Sequence, residues 1–171
     1  LTEANKTIPI IMARDPDPVR NGHVTSLARP GGNITGLSTL APELSGKRLE
    51  MLKEIVPKLS RVAVFQTSGS RDYMQTLDEI NSAAKAMGIR LQHVNVQAGK
   101  DIEPGYAAAS KERAGAILWM VSGPVYQPHR AQIVDLAVKR RLPVMFKERE
   151  PMESGGLMFY GVSLTDLDRR S

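Results

Sequence analysis

Short apolar runs alternate with amphipathic helical patterns along most of this chain. The runs occupy residues 61–65, 89–96, 116–121, 143–146 and 157–160, and polar or turn-forming residues follow them. Strands that alternate with helices form βαβ units, which build a parallel sheet with helices on its faces. We therefore expect a three-layer α/β core, Rossmann-like in architecture, with a mainly parallel sheet of about five strands.

Two of these runs indicate their place in the sheet. Residues 116–121 are apolar without a break, which is typical of a central strand that is covered on both faces. In residues 89–96 the apolar positions change phase between Leu91 and Val94, which favours an edge strand with a β-bulge.

The segments between the runs have helical spacing. In residues 49–59 apolar side chains recur every three or four positions, and Pro57 should end this helix. A second pattern stops at Gly88, a residue type that suits the end of a helix. Asp101 is expected to cap a third helix. Further helices are predicted after the central strand and over residues 164–170.

The N-terminal part of the chain fits this alternation poorly. Residues 8–12 and 34–37 are predicted to form short strands, but the loop between them contains Asp15-Pro-Asp-Pro18 and Arg29-Pro-Gly-Gly-Asn33, which exclude continuous regular structure. We expect residues 8–12 to lie outside the middle of the core sheet, at an edge, in a remnant of another domain or against a second copy of the chain.

Composition excludes several classes of protein. The chain has no cysteine, so it has no disulfide framework, thiol nucleophile or cysteine zinc site. Its net charge is +5 and its pI about 9.6. The cations are scattered along helical patterns, and aromatic residues make up only 5%, too few for base-stacking platforms. We therefore expect a solvated basic surface and no nucleic-acid partner.

The residue sets that catalysis requires are missing. His23, His93 and His129 are far apart in sequence and share no short metal-binding spacing. The sequence has no Gly-x-Ser-x-Gly nucleophile elbow and no phosphate-binding loop, and its glycines at residues 31–36 lack the setting of a dinucleotide site. We therefore predict a binding protein that is not an enzyme and that needs no cofactor.

Polar loops at the strand ends are the predicted binding site. They cover residues 66–71, 96–101, 120–126 and 146–150. Ligands of open parallel sheets bind at the carboxyl ends of the strands. The residues that precede a predicted helix N-terminus there, where carboxylates bind well, are Thr67, Ser68, Ser70, Ser122 and Gly123. Ordinary helix capping uses the same residue types and stays open as the alternative.

Two charged residues are also candidates for the predicted binding site. Lys147 follows another strand and would add a positive charge at the same edge of the sheet. Asp17, like Asp15, precedes a proline, so turn initiation is the simpler interpretation beside a role in a site.

Several segments resemble one protein family. The resemblance is to the ABC-transporter substrate-binding proteins of the tryptophan/tyrosine-binding-like type, and it runs from about residue 8 to the C-terminus. The segments that carry it are Ile8-Pro-Ile-Ile-Met12, Asp17-Pro18-Val19, Ser26-Leu-Ala-Arg-Pro-Gly-Gly-Asn-Ile-Thr-Gly-Leu-Ser38, Leu40-Ala-Pro-Glu-Leu-Ser-Gly-Lys-Arg-Leu-Glu50 and Glu153-Ser-Gly-Gly-Leu-Met-Phe-Tyr-Gly161.

The resemblance implies a two-lobed, type I periplasmic-binding-protein fold whose ligand lies in a cleft between two Rossmann-like lobes. On that basis residues 1–40 are expected to be a remnant of the first lobe and the hinge. Residues 41–160 would be the second lobe, and residues 161–171 would cross back. Most of the first lobe and the secretion signal would then be absent, so we expect a fragment or a truncated form.

The resemblance also implies a ligand-binding set. Its members are Asp17, Thr67, Ser68, Ser70, Ser122, Gly123, Lys147 and Glu148. Thr67 and Ser70 match positions that often hold Asn in the cleft loop. Lys147 and Glu148 stand where the family commonly has small residues, a change that is expected to alter the choice of ligand or to narrow the pocket.

The function implied is that of a solute-binding component of an ABC importer. It would capture a small ligand, with an amino acid or a related carboxylate as the candidate, and deliver it to a membrane permease. The protein would be exported and periplasmic, and a homodimer through exposed lobe surface is a candidate assembly. Two alternatives stay open at this point: the effector-binding module of a transcription regulator and an enzyme of flavodoxin-like or Rossmann-like architecture.

Overall fold

A computed structural model describes residues 7–69 and 71–162 of the chain, without the side chains of residues 14, 41, 42 and 71–75. These residues form two compact units. The first contains the residues up to Pro42 together with Val162, and the second contains Glu43–Gly161. The helix that was predicted over residues 164–170 lies outside the described residues.

The first unit is built on two parallel strands, β1 (Ile10–Asp15) and β2 (Ile34–Ser38). Gly36 of β2 has a φ of +150°, and a Cβ there would overlap the backbone of Met12. Only glycine therefore lets the two strands approach this closely. Because β1 pairs with β2 alone, the prediction that residues 8–12 stay out of the middle of the core sheet is confirmed.

The second unit contains a five-stranded parallel sheet. Its strands are β3 (Arg61–Gln66), β4 (Arg90–Asn95), β5 (Ala116–Trp119), β6 (Val144–Phe146) and β7 (Met158–Phe159). They lie in the order β4-β3-β5-β6-β7, and every pair is parallel. The predicted α/β fold, the edge position of β4 and the central position of β5 are confirmed.

Among the described residues, four helices accompany the strands: α1 (Ala41–Ile55), α2 (Arg71–Met87), α3 (Ile102–Lys111) and α4 (Arg130–Lys139). Short 3-10 turns cover Gly99–Asp101, Gly123–Val125, Gln127–His129 and Glu150–Ser154. As predicted, α1 ends shortly before Pro57. Gly88 follows α2 with a φ of +67°, the left-handed conformation that closes a helix.

Both faces of the sheet are buried. On one face Phe65 stacks on Trp119, with 5.0 Å between ring centroids, in a cluster that α3 and α4 complete with Tyr106 and Ile133. On the other face α1 and α2 supply a second cluster, which includes Leu52 of α1. Burial on two faces explains why the central strands are apolar at every position.

The β-bulge that was predicted in residues 89–96 is wrong. Strands β3 and β4 pair without a break from Arg61 and Arg90 to Gln66 and Asn95. Leu91 packs against one core cluster and Val94 belongs to the other. The change of phase therefore reflects a strand with two covered faces.

The capping role that was predicted for Asp101 is also wrong in detail. Its side chain makes no cap hydrogen bond to α3. The carboxylate instead accepts the backbone N–H groups of Ala98 and Gln97, each at 2.9 Å, and these bonds lower its pKa. Asp101 therefore closes the loop that leads into the helix.

Candidate functional site

Because the five strands of the second unit are parallel, their carboxyl ends meet at one edge of the sheet, which we call the carboxyl rim. The rim consists of the segments that follow the strands, residues 67–69, 96–99, 120–123, 147–150 and 160–161. This is the edge at which open parallel sheets bind their ligands. All the predicted site residues that the structure describes, except Asp17, belong to these segments.

The β3–β4 part of the rim is held together by its own polar groups. The Thr67 hydroxyl donates to the Val96 carbonyl oxygen at 2.9 Å. The Ser68 backbone N–H donates to Asn95 Oδ1 at 3.0 Å. Gln97 Nε2 donates to Ser68 Oγ at 2.8 Å and to Asn95 Oδ1 at 3.2 Å. Thr67 and Ser68 therefore join the two loops.

Ser70 lies outside the described residues, so its place in a ligand site stays a prediction. Helix α2 begins directly after it, at Arg71. The first backbone N–H groups of an α-helix have no partner within the helix, and the positive end of the helix dipole lies there. An anion site at this end of α2 therefore also stays a prediction.

The loops after β4 and β5 meet at Gly99. A Cβ on Gly99 would overlap the imidazole of His129. Nδ1 of that ring lies 2.9 Å from the Val125 carbonyl oxygen, which can only accept, so Nδ1 carries the proton. The ring is thus fixed against the glycine, and a larger residue at position 99 would displace it.

The prediction that Ser122 precedes an α-helix is wrong. Ser122 and Gly123 lead into a 3-10 turn, a second such turn follows, and α4 begins only at Arg130. Each turn has a proline in its first positions, Pro124 and Pro128. Proline suits the start of a helical turn but has no N–H to donate in the interior of a helix. Each proline therefore begins a new 3-10 turn.

The structure brings two predicted site residues into contact across the rim. Ser122 Oγ donates to Glu148 Oε1 at 2.8 Å, although 26 positions separate the residues. Glu148 and Lys147 follow β6 directly, and both are half-buried. The Ser122 hydroxyl already donates its hydrogen bond to a carboxylate. This part of the rim therefore differs from the anion site that the sequence predicted, in which that hydroxyl would face the ligand.

Tyr126 is a residue of this region that the sequence analysis did not single out. Its side chain is 1% exposed, and its hydroxyl has no hydrogen-bond partner within the described part of the chain. Burial, followed by the negative charges of Glu148 and Glu150, raises the pKa of Tyr126. The phenol is therefore neutral at physiological pH. A large aromatic residue at the end of a polar strand-end loop was the available signal.

Arg48 of α1 was also missed. It is 4% exposed, its Nε donates to the Tyr160 carbonyl oxygen at 2.6 Å, and its Nη1 lies 3.2 Å from Ser45 Oγ. Burial lowers its pKa to about 10. The bond to Tyr160 fixes the chain where it leaves β7. An arginine one position before the buried Leu49 on the apolar face of a helix was the signal.

Asp17 lies in the first unit and shapes a turn. Its backbone N–H donates to Asp15 Oδ1 at 2.8 Å, and its Oδ1 accepts the Arg20 backbone N–H at 3.0 Å. Asp15 Oδ1 also accepts from the Asn21 side chain at 2.9 Å. These bonds are those of the turn that the prolines indicated. A role for Asp17 in ligand binding stays a prediction.

Two further properties bear on function. Among the residues that the structure describes, no group of three or more His, Asp or Glu side chains is arranged to hold a metal ion. Within the same residues, no helix combines the length and the apolar character that crossing a membrane requires.

The sequence is similar to one family model and to a curated protein with a related description. The sequence model of the family described as ABC transporter substrate binding protein matches residues 1–169. A tyrosine-binding protein of Clostridioides difficile (strain R20291) is 25% identical over 164 residues, which are 96% of this chain and 46% of that protein. The chain therefore spans about half the length of this curated relative.

Solved structures show the same fold. An ABC domain from Streptococcus pneumoniae, in complex with L-Trp, is 22% identical with a TM-score of 0.74, over 97% of this chain and 55% of that one. A conserved domain protein from Vibrio cholerae is 24% identical with a TM-score of 0.77, over 98% of this chain and 55% of that one. With a family match that extends over nearly all of its 171 residues, the chain belongs to the ABC transporter substrate-binding proteins.

Proposed function

We propose that this chain is the second lobe, with a remnant of the first, of a solute-binding component of an ABC importer. The observation that carries the proposal is the family match over residues 1–169. In this proposal residues 1–40 belong to the first lobe and the hinge, residues 41–160 form the second lobe, and residues 161–171 cross back. The division of the described residues after Pro42 and after Gly161 supports these boundaries.

The proposed mechanism involves no covalent chemistry. A ligand that binds the closed arrangement of two lobes better than the open one shifts the population toward closure, and its differential affinity sets the size of that shift. The closed protein then delivers the ligand to a membrane permease. We accordingly propose an exported, periplasmic binding protein that is neither an enzyme nor a nucleic-acid binder.

We propose an amino acid, or a related carboxylate, as the ligand. One relative is called a tyrosine-binding protein, and one structure of the same fold holds L-Trp. The start of α2 next to Ser70 is the proposed place for the ligand carboxylate, because a helix N-terminus offers free N–H groups to an anion. Thr67, Ser68 and Lys147 lie on the same rim, and Asp17 is proposed to contribute from the hinge side.

Calorimetry on a two-lobed chain tests this proposal. The missing part of the first lobe would be supplied from a relative, and the twenty amino acids would be titrated one at a time. We expect saturable 1:1 binding of at least one of them, and much weaker binding to the 171-residue chain because half a cleft supplies half of the contacts. Failure of every amino acid to bind the two-lobed chain would contradict the proposal.

A further inference from the structure

An apolar groove lies beside β6 on the face of the sheet that α3 and α4 cover. We call it the β6 groove. It has a volume of about 290 Å³. Helix α4 supplies Val134 and Val138 to its lining, β6 supplies Val144 and Phe146, and the segment before β7 supplies Leu157. The groove opens toward the amino ends of β6 and β7, so it is separate from the carboxyl rim.

The connection between β6 and β7 explains why this space is open. Parallel strands are usually joined by a crossover helix. Here the 3-10 turn Glu150–Ser154 takes its place and covers less of the sheet beside α4. Two glycines follow. A Cβ on Gly155 would lie 3.9 Å from Val134, and a Cβ on Gly156 would overlap the backbone of Pro151. The same glycines belong to the last of the segments that carry the family resemblance.

The mouth of the groove presents apolar side chains to solvent. Leu157 is 75% exposed and Val138 is 67% exposed, more than any other large apolar residue among the described residues of the second unit. Single exposed apolar residues are common on protein surfaces, but these two stand on opposite walls of one groove. A ligand with an apolar part would remove both from water, which is favourable in proportion to the area buried.

One cation stands at this groove. Arg141 is the only charged residue among the described residues that line it. It follows α4 directly, with a φ of +52°, and its side chain is exposed. No ion pair joins its guanidinium to a carboxylate within the described part of the chain, whereas Lys139 pairs with Asp135 at 2.7 Å. The charge of Arg141 is therefore available to a ligand.

This charge distinguishes between occupants of the groove. Two copies of the chain that met groove to groove about a two-fold axis would bring the same cations of both copies, Arg140 and Arg141, into one interface. Like charges repel, so such a contact is disfavoured. A ligand that is apolar at one end and anionic at the other complements both the lining and the guanidinium.

We propose that the β6 groove binds an amphiphilic anion, a medium-chain carboxylate. Its hydrocarbon tail lies between Val138 and Leu157, and its carboxylate pairs with Arg141, whose planar guanidinium matches a carboxylate well. An engineered protein cavity of about 150 Å³ holds benzene, so a groove of this volume suits a chain of about eight to ten carbons. The site lies on another edge of the sheet than the proposed amino-acid site and does not depend on it.

Three probes test the proposal on the 171-residue chain: sodium octanoate, 1-octanol and sodium acetate. Each would be titrated at concentrations that form no micelles, while backbone amide signals are followed by NMR. We expect octanoate to shift the signals of Val138, Leu142 and Gly156 saturably, octanol to bind about tenfold more weakly, and acetate to leave them unchanged. Octanol binding as tightly as octanoate, acetate shifts of equal size, or no localised shift with octanoate would overturn the proposal.

Matched variants assign the charge recognition to Arg141. Arg141→Gln should raise the apparent dissociation constant for octanoate about tenfold and leave that for octanol unchanged, whereas Arg141→Lys should retain most of the affinity. The control is Arg113→Gln. Arg113 is also exposed and follows α3 with a φ of +57°, but it does not line the groove. Equal octanoate affinities of Arg141→Gln and Arg113→Gln would refute the assignment.

A second pair of variants tests the apolar part of the groove. Leu157→Ser should weaken octanoate and octanol alike, and Ile55→Ser, which changes another exposed apolar residue away from the groove, should weaken neither. Unchanged octanol binding in Leu157→Ser would contradict the placement of the tail.

Sedimentation velocity distinguishes the ligand from a second copy of the chain. We expect the same oligomeric state with and without octanoate. A dimer that octanoate dissociates would assign the groove to a second copy and overturn the proposal.

Discussion

The two halves of the carboxyl rim use similar residues for different purposes. At the β3–β4 half, Thr67 and Ser68 take part in hydrogen bonds to Val96, Asn95 and Gln97, and the two loops are joined. At the β5–β6 half, a serine donates to a carboxylate that makes no ion pair within the described residues, and a buried tyrosine hydroxyl has no hydrogen-bond partner among them.

The difference predicts how much each half contributes to stability. Polar groups that satisfy one another contribute to the free energy of unfolding. Polar groups that are unsatisfied contribute little to it. Changes in the β3–β4 half should therefore lower stability more than changes in the β5–β6 half. Trp119, the only tryptophan and a buried one, gives a fluorescence signal for unfolding.

The largest expected effect is at Gly99, where the two halves meet. Gly99→Ala places a Cβ into the His129 ring and should lower the free energy of unfolding by about 1–3 kcal/mol, the usual cost of overpacking. Urea unfolding followed by Trp119 fluorescence measures it. The double variant Gly99→Ala with His129→Ala should recover part of the loss, and an equal loss in both would show that crowding of the ring is not the cause.

A pair of tyrosines provides the sharpest contrast. The Tyr106 hydroxyl donates to the Ile133 carbonyl oxygen at 2.9 Å, and the Tyr126 hydroxyl has no partner within the described residues. Tyr106→Phe should cost about 1–2 kcal/mol of unfolding free energy, because a buried hydrogen bond is lost. Tyr126→Phe should cost nothing and should stabilise by up to about 1 kcal/mol. Equal losses of unfolding free energy in the two variants, measured by urea unfolding, would contradict this contrast.

The rim hydroxyls allow a similar test with a smaller effect. Thr67→Val keeps the shape of the side chain but leaves the Val96 carbonyl without its donor, so we expect a loss of about 1 kcal/mol. Ser122→Ala, at an exposed position in the other half, should change the unfolding free energy by less than about 0.5 kcal/mol. Thermal or urea unfolding of the two variants side by side would decide whether only the first half is structural.

The smallest effect concerns the pH dependence of the β3–β4 half. The N–H groups of Ala98 and Gln97 lower the pKa of Asp101 in the folded state. Asp101 therefore contributes to stability above the pKa that its carboxyl has in the unfolded chain. This contribution is lost as the pH falls through the pKa of the same carboxyl in the folded protein. Asp101→Asn should reduce the acid sensitivity of unfolding below about pH 4, near the ordinary carboxyl pKa. Identical pH profiles for the two proteins would contradict this role.

Much of the fold was predictable because its signals are local. Uninterrupted apolar runs with helical patterns between them required a parallel sheet, and the position of β5 followed from its lack of polar residues. The errors arose where a local pattern has two physical causes. The apolar positions change phase between Leu91 and Val94. Such a change occurs either at a β-bulge or in a strand with two covered faces, and only the packing of helices on both faces distinguishes the two cases.

The sequence by itself determined the fold class, the rim as the candidate site, the family resemblance and the residue types available there. Only the tertiary structure decided which of these residues meet. Thr67 contacts Val96, and Ser122 contacts Glu148, across 29 and 26 positions of sequence. Such pairs depend on strand order and on how each loop leaves its strand. These follow from the packing of the whole sheet, so no spacing in the sequence encodes them.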